Sequence, residues 1–110
     1  DFVRGIAGYA PEKRPDAIIC SNDATAARLL KTLHQLSIRV PEDVRLASFD
    51  DLEYAKLLSP ALTTIHQPCV QLGAAAVQAL LQRIREPDTP TREILLDAPL
   101  VVRQSCGAAS

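Results

Sequence analysis

Two short apolar segments that end in acidic residues constrain the fold of this 110-residue chain more than any other feature. Residues 17–20 and 44–49 are largely apolar runs of strand length, and each is followed at once by polar residues. Continuous apolar strands are typical of a parallel sheet that is covered on both faces. Such sheets place their ligand-contacting side chains just beyond the carboxyl ends of the strands. We therefore expect function at the four polar residues that follow the strands: Asn22, Asp23, Asp50 and Asp51.

The segment between these two strands predicts an amphipathic helix over residues 24–36. Its apolar stripe faces the sheet, and Ser21, Asn22 and Asp23 are all good residues to cap its first turn. A strand, a helix and a second parallel strand form a right-handed crossover unit. Ser37 stands where a glycine normally ends such a helix in left-handed geometry, and it would cost about 1 kcal/mol if that geometry is kept.

The second half of the chain predicts further elements of both kinds. A short β-branched strand is expected over residues 62–66 and a long helix over 69–85. Two short strands are expected over 92–97 and 100–103, separated by Pro99. The sequence therefore predicts an α/β fold.

Composition excludes several classes of function. A net charge of -1 gives no electrostatic case for DNA binding by these residues. No apolar stretch approaches the roughly 20 residues of a membrane span, and the first residues do not resemble a signal peptide. The three cysteines have no metal-ligand spacing, so we expect no metal site, no cofactor and a cytoplasmic protein with reduced thiols.

Five sequence blocks resemble, in order and spacing, the LacI/GalR family of bacterial transcription regulators. Together they span roughly residues 15–103, and Ser37 and Ser48 depart from the family by replacing glycines. The blocks are Ile19-Cys20-Ser21-Asn22-Asp23, Arg39-Val40-Pro41-Glu42-Asp43-Val44, Phe49-Asp50-Asp51, Pro60-Ala61-Leu62-Thr63-Thr64-Ile65-His66-Gln67-Pro68 and Leu72-Gly73.

The resemblance implies a periplasmic-binding-protein-like fold, a parallel-sheet three-layer sandwich of which this chain is only the C-terminal part. It implies that residues 1–66 and 98–110 belong to the second of two subdomains, and that 67–97 would pack on a first subdomain that is absent. It also implies a cytoplasmic homodimer that meets DNA only through an absent N-terminal headpiece. An effector such as a sugar or nucleoside would bind between the subdomains.

The resemblance also implies roles for individual residues. Asn22 and Asp50 match positions that contact the effector, and Gln67 matches a residue of the crossover near the cleft, where ligand contact or hinge closure is expected of it. The family's dimer interface falls on three further residues: Tyr54, Leu57 and Leu58.

Other interpretations of the same residues remain open. Asn22 could be a plain helix cap and Asp50-Asp51 a capping pair at a strand end; His66 is expected to form a structural hydrogen bond. A transport binding protein of the same fold would need an export signal. An enzyme could use Asp50 as an acid or base, but neighbouring strand residues point to opposite faces, which argues against a shared substrate for Asp50 and Asp51.

Overall fold

The computed structural model describes residues 5, 6 and 8–108. Its centre is a four-stranded sheet with the order β1-β2-β3-β4, in which the first three strands are parallel and the fourth is antiparallel. The strands are β1 (Ala17–Ile19), β2 (Arg45–Asp50), β3 (Thr63–His66) and β4 (Leu100–Val101). The helices are α1 (Asp23–Gln35) and α2 (Cys69–Arg85), with short 3₁₀ turns at Pro11–Lys13, Glu53–Leu57 and Gln104–Cys106.

Helix α1 forms the hydrophobic core with one face of the sheet. The buried stripe of α1 comprises Ala26, Leu29, Leu30 and Leu33. It belongs to one cluster with Leu46 of β2 and with Leu62, which immediately precedes β3. Because side chains alternate along a strand, Leu46 and Ser48 are buried while Phe49 is exposed. The predicted crossover unit of strand, helix and strand is therefore confirmed.

Two expectations about the sheet are wrong. Strand β1 is not covered on both faces within the described residues, because Ile18 packs against the core while Ile19, on the opposite face, is 74% exposed. Residues 92–97 are not a strand, because within the described residues no neighbouring strand pairs with them. A β-strand needs a partner to satisfy its backbone hydrogen bonds, and the apolar side chains of 92–97 cannot supply one. The complete fold is expected to have three layers. The described residues show the sheet and one helical layer, formed by α1.

Helix α2 has the predicted length, but none of its residues is buried. Its apolar side chains include Val70, Val77, Leu80 and Ile84, which are all exposed. Within the described part of the chain, no helix has the length and apolarity needed to cross a membrane.

Ser37 adopts the left-handed conformation that the sequence predicts for the end of α1. Its φ is +57°, and the amide of Ile38 donates to the carbonyl of Leu33. A side chain at such a position is strained, whereas glycine is not. We expect Ser37→Gly to raise the free energy of unfolding by about 1 kcal/mol in urea denaturation. Equal or lower stability in the variant would contradict this account of the helix end.

The loop before β2 is closed by a carboxylate that binds one arginine three times. Oδ2 of Asp43 accepts from the backbone N–H and Nε of Arg39, and Oδ1 accepts from Nη2. Hydrogen bonding by Arg39 lowers the pKa of Asp43 from 3.8 to about 2. A carboxyl with a depressed pKa in the folded state stabilises the protein above its unfolded pKa and loses this effect as the pH falls.

The expected result is a pH-dependent difference between the parent chain and Asp43→Asn. The parent should have the higher free energy of unfolding above about pH 4, and the difference should shrink as the pH falls toward about 2. Urea denaturation across this pH range measures it. A difference that stays constant over the whole range would show that the Asp43 charge is not responsible.

Candidate functional site

An open groove of about 730 Å³ lies at the carboxyl ends of β2 and β3. One side is formed by the turn after β2, and the other by the start of α2 and the segment before β4. Since parallel strands bring their carboxyl ends to the same edge, this is the place where the topology favours a ligand. The groove residues with polar side chains are Asp50, Asp51, Glu53, His66, Gln67, Gln71 and Asp97.

Asp50 and Gln67 meet in this groove, as their shared edge of the sheet predicts. Nε2 of Gln67 donates to Oδ1 of Asp50 at 2.7 Å, and Asp50 pairs with His66 in the register of β2 and β3. For Oδ2 of Asp50 the structure shows no protein donor among the described residues. A carboxylate held this way can accept further hydrogen bonds from hydroxyl or N–H groups, and bonds to a charged acceptor are stronger than neutral ones.

The side chain of Asp51 has different hydrogen-bond partners from that of Asp50. Its Oδ1 accepts from Nη2 of Arg103 at 2.7 Å, and its Oδ2 lies 3.0 Å from Nδ1 of His66. Burial opposes the charged form of Asp51, but the hydrogen bonds from Arg103 and His66 outweigh it, so its pKa lies below the ordinary value. Asp50 and Asp51 therefore have different hydrogen-bond partners although both line the groove, and His66 forms the expected structural hydrogen bond.

Asp23 lies behind the groove as a completely buried carboxylate. Its Oδ1 accepts from the hydroxyls of Ser48 and of Thr64, the latter at 2.7 Å, and its Oδ2 accepts from the backbone N–H of Leu52 at 2.8 Å. One side chain thus joins the first turn of α1 to β2, β3 and the turn after Asp50. Asp23 is therefore a structural anchor of the groove.

Asn22 occupies the helix-capping position and stands apart from the groove. Its Oδ1 accepts from the backbone N–H of Thr25 at 2.8 Å, and it is not among the residues that line the groove. The structure therefore brings Asp50 and Gln67 together and leaves Asn22 at the neighbouring strand end, after β1. Its Nδ2 is 3.5 Å from Oγ of Ser21, which is a long distance for a hydrogen bond.

The three residues expected at a dimer interface come shortly after the groove residues 50–53 in the sequence. Leu57 is 77% exposed, Tyr54 is half-buried, and Leu58 packs partly against the core. Of the three, Leu57 offers an apolar side chain that the described residues leave uncovered.

The main residue that the sequence did not indicate is Arg103. It is far from Asp51 in the sequence, and the short strand β4 gives no local pattern that would connect them. The antiparallel pairing of β4 with β3 brings the Arg103 backbone beside Thr63, at the start of β3, and from there its side chain reaches Asp51. Asp97 and Pro99 also line the groove, but the sequence indicated only a strand end and a strand break at these positions and gave no signal for a groove.

The family model that matches this chain is described as a periplasmic binding protein-like domain and covers residues 3–106. Among curated proteins, the ribose operon repressor of Haemophilus influenzae is 38% identical over 109 residues, which are 96% of this chain and 33% of the repressor. The chain therefore spans about a third of the length of the curated relatives it matches.

Solved structures of LacI-type regulators have the same fold. A LacI-type transcription regulator from Bifidobacterium animalis subsp. lactis is 38% identical, with a TM-score of 0.75 over 94% of this chain and 37% of that one. A LacI family regulator from Lactobacillus casei with bound sucrose is 31% identical, with a TM-score of 0.76 over 94% of this chain and 38% of that one. The predicted periplasmic-binding-protein-like fold, in incomplete form, is thereby confirmed.

Proposed function

We propose that this chain is part of the effector-sensing domain of a transcription regulator. The premise is that the chain belongs to the LacI/GalR family, whose regulators share the periplasmic-binding-protein-like domain. The groove would be one wall of a cleft whose other wall comes from residues outside these 110. A small molecule in the cleft would favour one relative orientation of two subdomains. A separate headpiece would bind DNA, and the small molecule could shift that binding only as far as its affinities for the two orientations differ.

The observation that carries this proposal is the Asp50 carboxylate at the carboxyl edge of the sheet. It is oriented by Gln67 through a 2.7 Å hydrogen bond, and its second oxygen faces an open groove. Asn22 would contribute its Nδ2 from the adjacent strand end while its Oδ1 caps α1. A fixed acceptor in the groove, with an amide donor at the neighbouring strand end, is suited to recognising a molecule with several hydroxyl or N–H groups.

The charge of the groove narrows the class of effector. Four carboxyl groups line it, from Asp50, Asp51, Glu53 and Asp97; that of Asp51 is paired with Arg103 and that of Glu53 with Lys56, which leaves those of Asp50 and Asp97 without a cationic partner among the described residues. An anion such as a sugar phosphate would be repelled by the remaining carboxylates. We propose a neutral sugar or nucleoside, a class consistent with the sucrose that the Lactobacillus casei regulator holds.

We propose further that the exposed side of α2 and residues 67–97 pack on the first subdomain of the complete domain. Apolar patches of this kind mark interaction surfaces, and Val70, Val77 and Leu80 have no cover within the described residues.

We propose likewise that Leu57, with Tyr54 and Leu58, lies in a homodimer interface. Sedimentation velocity tests the dimer, because Leu57→Arg should shift the full-length protein toward monomer; an unchanged dimer would exclude Leu57 from the interface.

In this proposal the protein is a cytoplasmic regulator and not an enzyme. The carboxylates of Asp50 and Asp51 have separate partners, Gln67 for the first and Arg103 with His66 for the second. The two groups therefore serve recognition and structure, and they do not form an acid and base pair on one substrate.

The test is thermal unfolding of the full-length protein that contains this chain, against pentoses, hexoses, disaccharides, nucleosides and sugar phosphates. A compound that binds only the folded state raises the unfolding midpoint with its concentration. We expect a neutral sugar or nucleoside to do so in the parent and in Glu53→Gln, and to raise the midpoint of Asp50→Ala much less at the same concentration. A midpoint raised only by phosphates, or raised equally in Asp50→Ala, would contradict the proposal.

A further inference from the structure

Two consecutive non-glycine residues at the groove have left-handed backbone. The φ angles of Asp50 and Asp51 are +115° and +57°. L-residues with side chains rarely adopt these angles, and they persist only where the surrounding structure holds them. The groups that hold this pair therefore decide where the Asp50 side chain points.

The carboxylate of Asp51 is bound on both of its oxygens. Arg103 donates to Oδ1 at 2.7 Å and Nδ1 of His66 lies 3.0 Å from Oδ2. The side chains of Arg103 and Asp51 are only 18% and 15% exposed. Water screens a pair of charges less when it is largely excluded, so this ion pair is stronger than one on the surface.

Arg103 is itself fixed to the segment that leads into β3. Its Nη1 donates to the carbonyl of Leu62 at 2.9 Å, and its backbone N–H donates to the hydroxyl of Thr63 at 2.8 Å. That hydroxyl donates in turn to the carbonyl of Arg103 at 3.1 Å. The planar guanidinium therefore reaches Asp51 from a rigid base, which a flexible surface side chain could not provide.

The backbone of the turn is held at further points. The N–H of Asp51 donates to the Thr64 hydroxyl at 3.3 Å, and the N–H of Leu52 donates to Asp23 at 2.8 Å. These contacts fix the backbone after Asp50. Arg103 and His66 together fix the side chain of Asp51, and we call this pair of contacts the clamp. Release of that side chain would free the turn to relax toward ordinary backbone angles and withdraw Asp50 from Gln67.

We propose that Asp51, Arg103 and His66 are positioning residues that hold the left-handed turn and thereby aim the Asp50 carboxylate into the groove. They act on the effector through Asp50 and do not contact it. The importance of this role for binding rests on the proposed function, whereas the clamp itself is a property of the ligand-free protein.

Amide hydrogen exchange and ¹⁵N spectra of the full chain, without any ligand, test the clamp. In Arg103→Gln, we expect the amides of Asp51 and Leu52 to exchange about tenfold faster and the side-chain amide signals of Gln67 to move. The amides of Ile18 and Leu46 should exchange as in the parent. Arg103→Lys retains the charge and should restore part of the protection at Asp51 and Leu52.

The control is Arg39→Gln, which removes the other close arginine–aspartate pair of the described chain and should leave residues 50–52 unchanged. If Arg103→Gln does not fold, His66→Gln decides, because the His66 side chain is half-exposed and its loss spares the core. It should accelerate the same two amides by a smaller factor.

Unchanged exchange at residues 51–52 with an unmoved Gln67 signal, or acceleration that is uniform across the sheet, would overturn the proposal. Because no ligand is used, this outcome is independent of whether an effector binds. The thermal unfolding of the parent and Asp50→Ala tests that separately.

Discussion

Asp23→Ala is expected to lower the free energy of unfolding by about 3–5 kcal/mol. The substitution removes a completely buried carboxylate and leaves the hydroxyls of Ser48 and Thr64 and the N–H of Leu52 without their acceptor. A buried polar group that loses its partner costs about 1–3 kcal/mol. Because domains of this size are stable by only about 5–15 kcal/mol, the variant should be close to unfolding at room temperature.

Urea denaturation followed by circular dichroism measures this effect. Asp23→Asn should lose less than Asp23→Ala, since one oxygen can still accept from the two hydroxyls while the amide nitrogen meets the N–H of Leu52. The matched control is Asp88→Ala, which removes an exposed carboxyl group and should change the stability by less than about 0.5 kcal/mol. An Asp23→Ala variant as stable as this control would show that the buried cluster is not an anchor.

Asp50→Ala is expected to weaken effector binding by roughly 10- to 100-fold. Hydrogen bonds to a charged group contribute about 1.5–3 kcal/mol, and each 1.4 kcal/mol is tenfold in affinity. The fold should be affected little, because Asp50 lies at the edge of the groove and its one protein donor within the described residues is the partly buried side chain of Gln67. Titration calorimetry of the full-length protein, with the compound that raises the unfolding midpoint, measures the change.

Two comparisons separate a specific contact from a general charge effect. Glu53→Gln removes another carboxylate from the same groove and should change the affinity by less than about twofold. Gln67→Ala should weaken binding by a smaller factor than Asp50→Ala, because it removes the group that orients Asp50. An equal loss in Glu53→Gln and Asp50→Ala would mean that only the total charge of the groove matters.

The sequence predicted the elements whose signals are local. The acidic residues at the carboxyl end of β2 follow from an apolar run, and the helix cap within Ser21–Asp23 follows from capping chemistry. Ser37 has the conformation that its position at the helix end requires. The strand expected over 92–97 is wrong because its existence depends on a partner strand, which a local apolar pattern cannot supply. The exposure of Ile19 also depends on tertiary structure, since a local apolar run does not show whether another layer covers that face of the strand.

The supporting contacts of the groove depend on tertiary structure and could not be predicted. Ser48 was noted only as a departure from a family glycine, yet its hydroxyl donates to the buried Asp23. Arg103 pairs with Asp51 because β4 lies antiparallel to β3, a topological fact that neither residue's neighbours in sequence reveal. By contrast, the encounter of Asp50 with Gln67 was accessible, because both follow adjacent parallel strands.

The most direct test of the effector site is a crystal structure of the full-length protein with its effector bound. We expect a hydroxyl or N–H group of the ligand within about 3.2 Å of Oδ2 of Asp50, with Gln67 still donating to Oδ1 and Arg103 still bound to Asp51. A ligand bound elsewhere, with no atom in hydrogen-bond reach of Asp50, would contradict the assignment of this groove as the effector site.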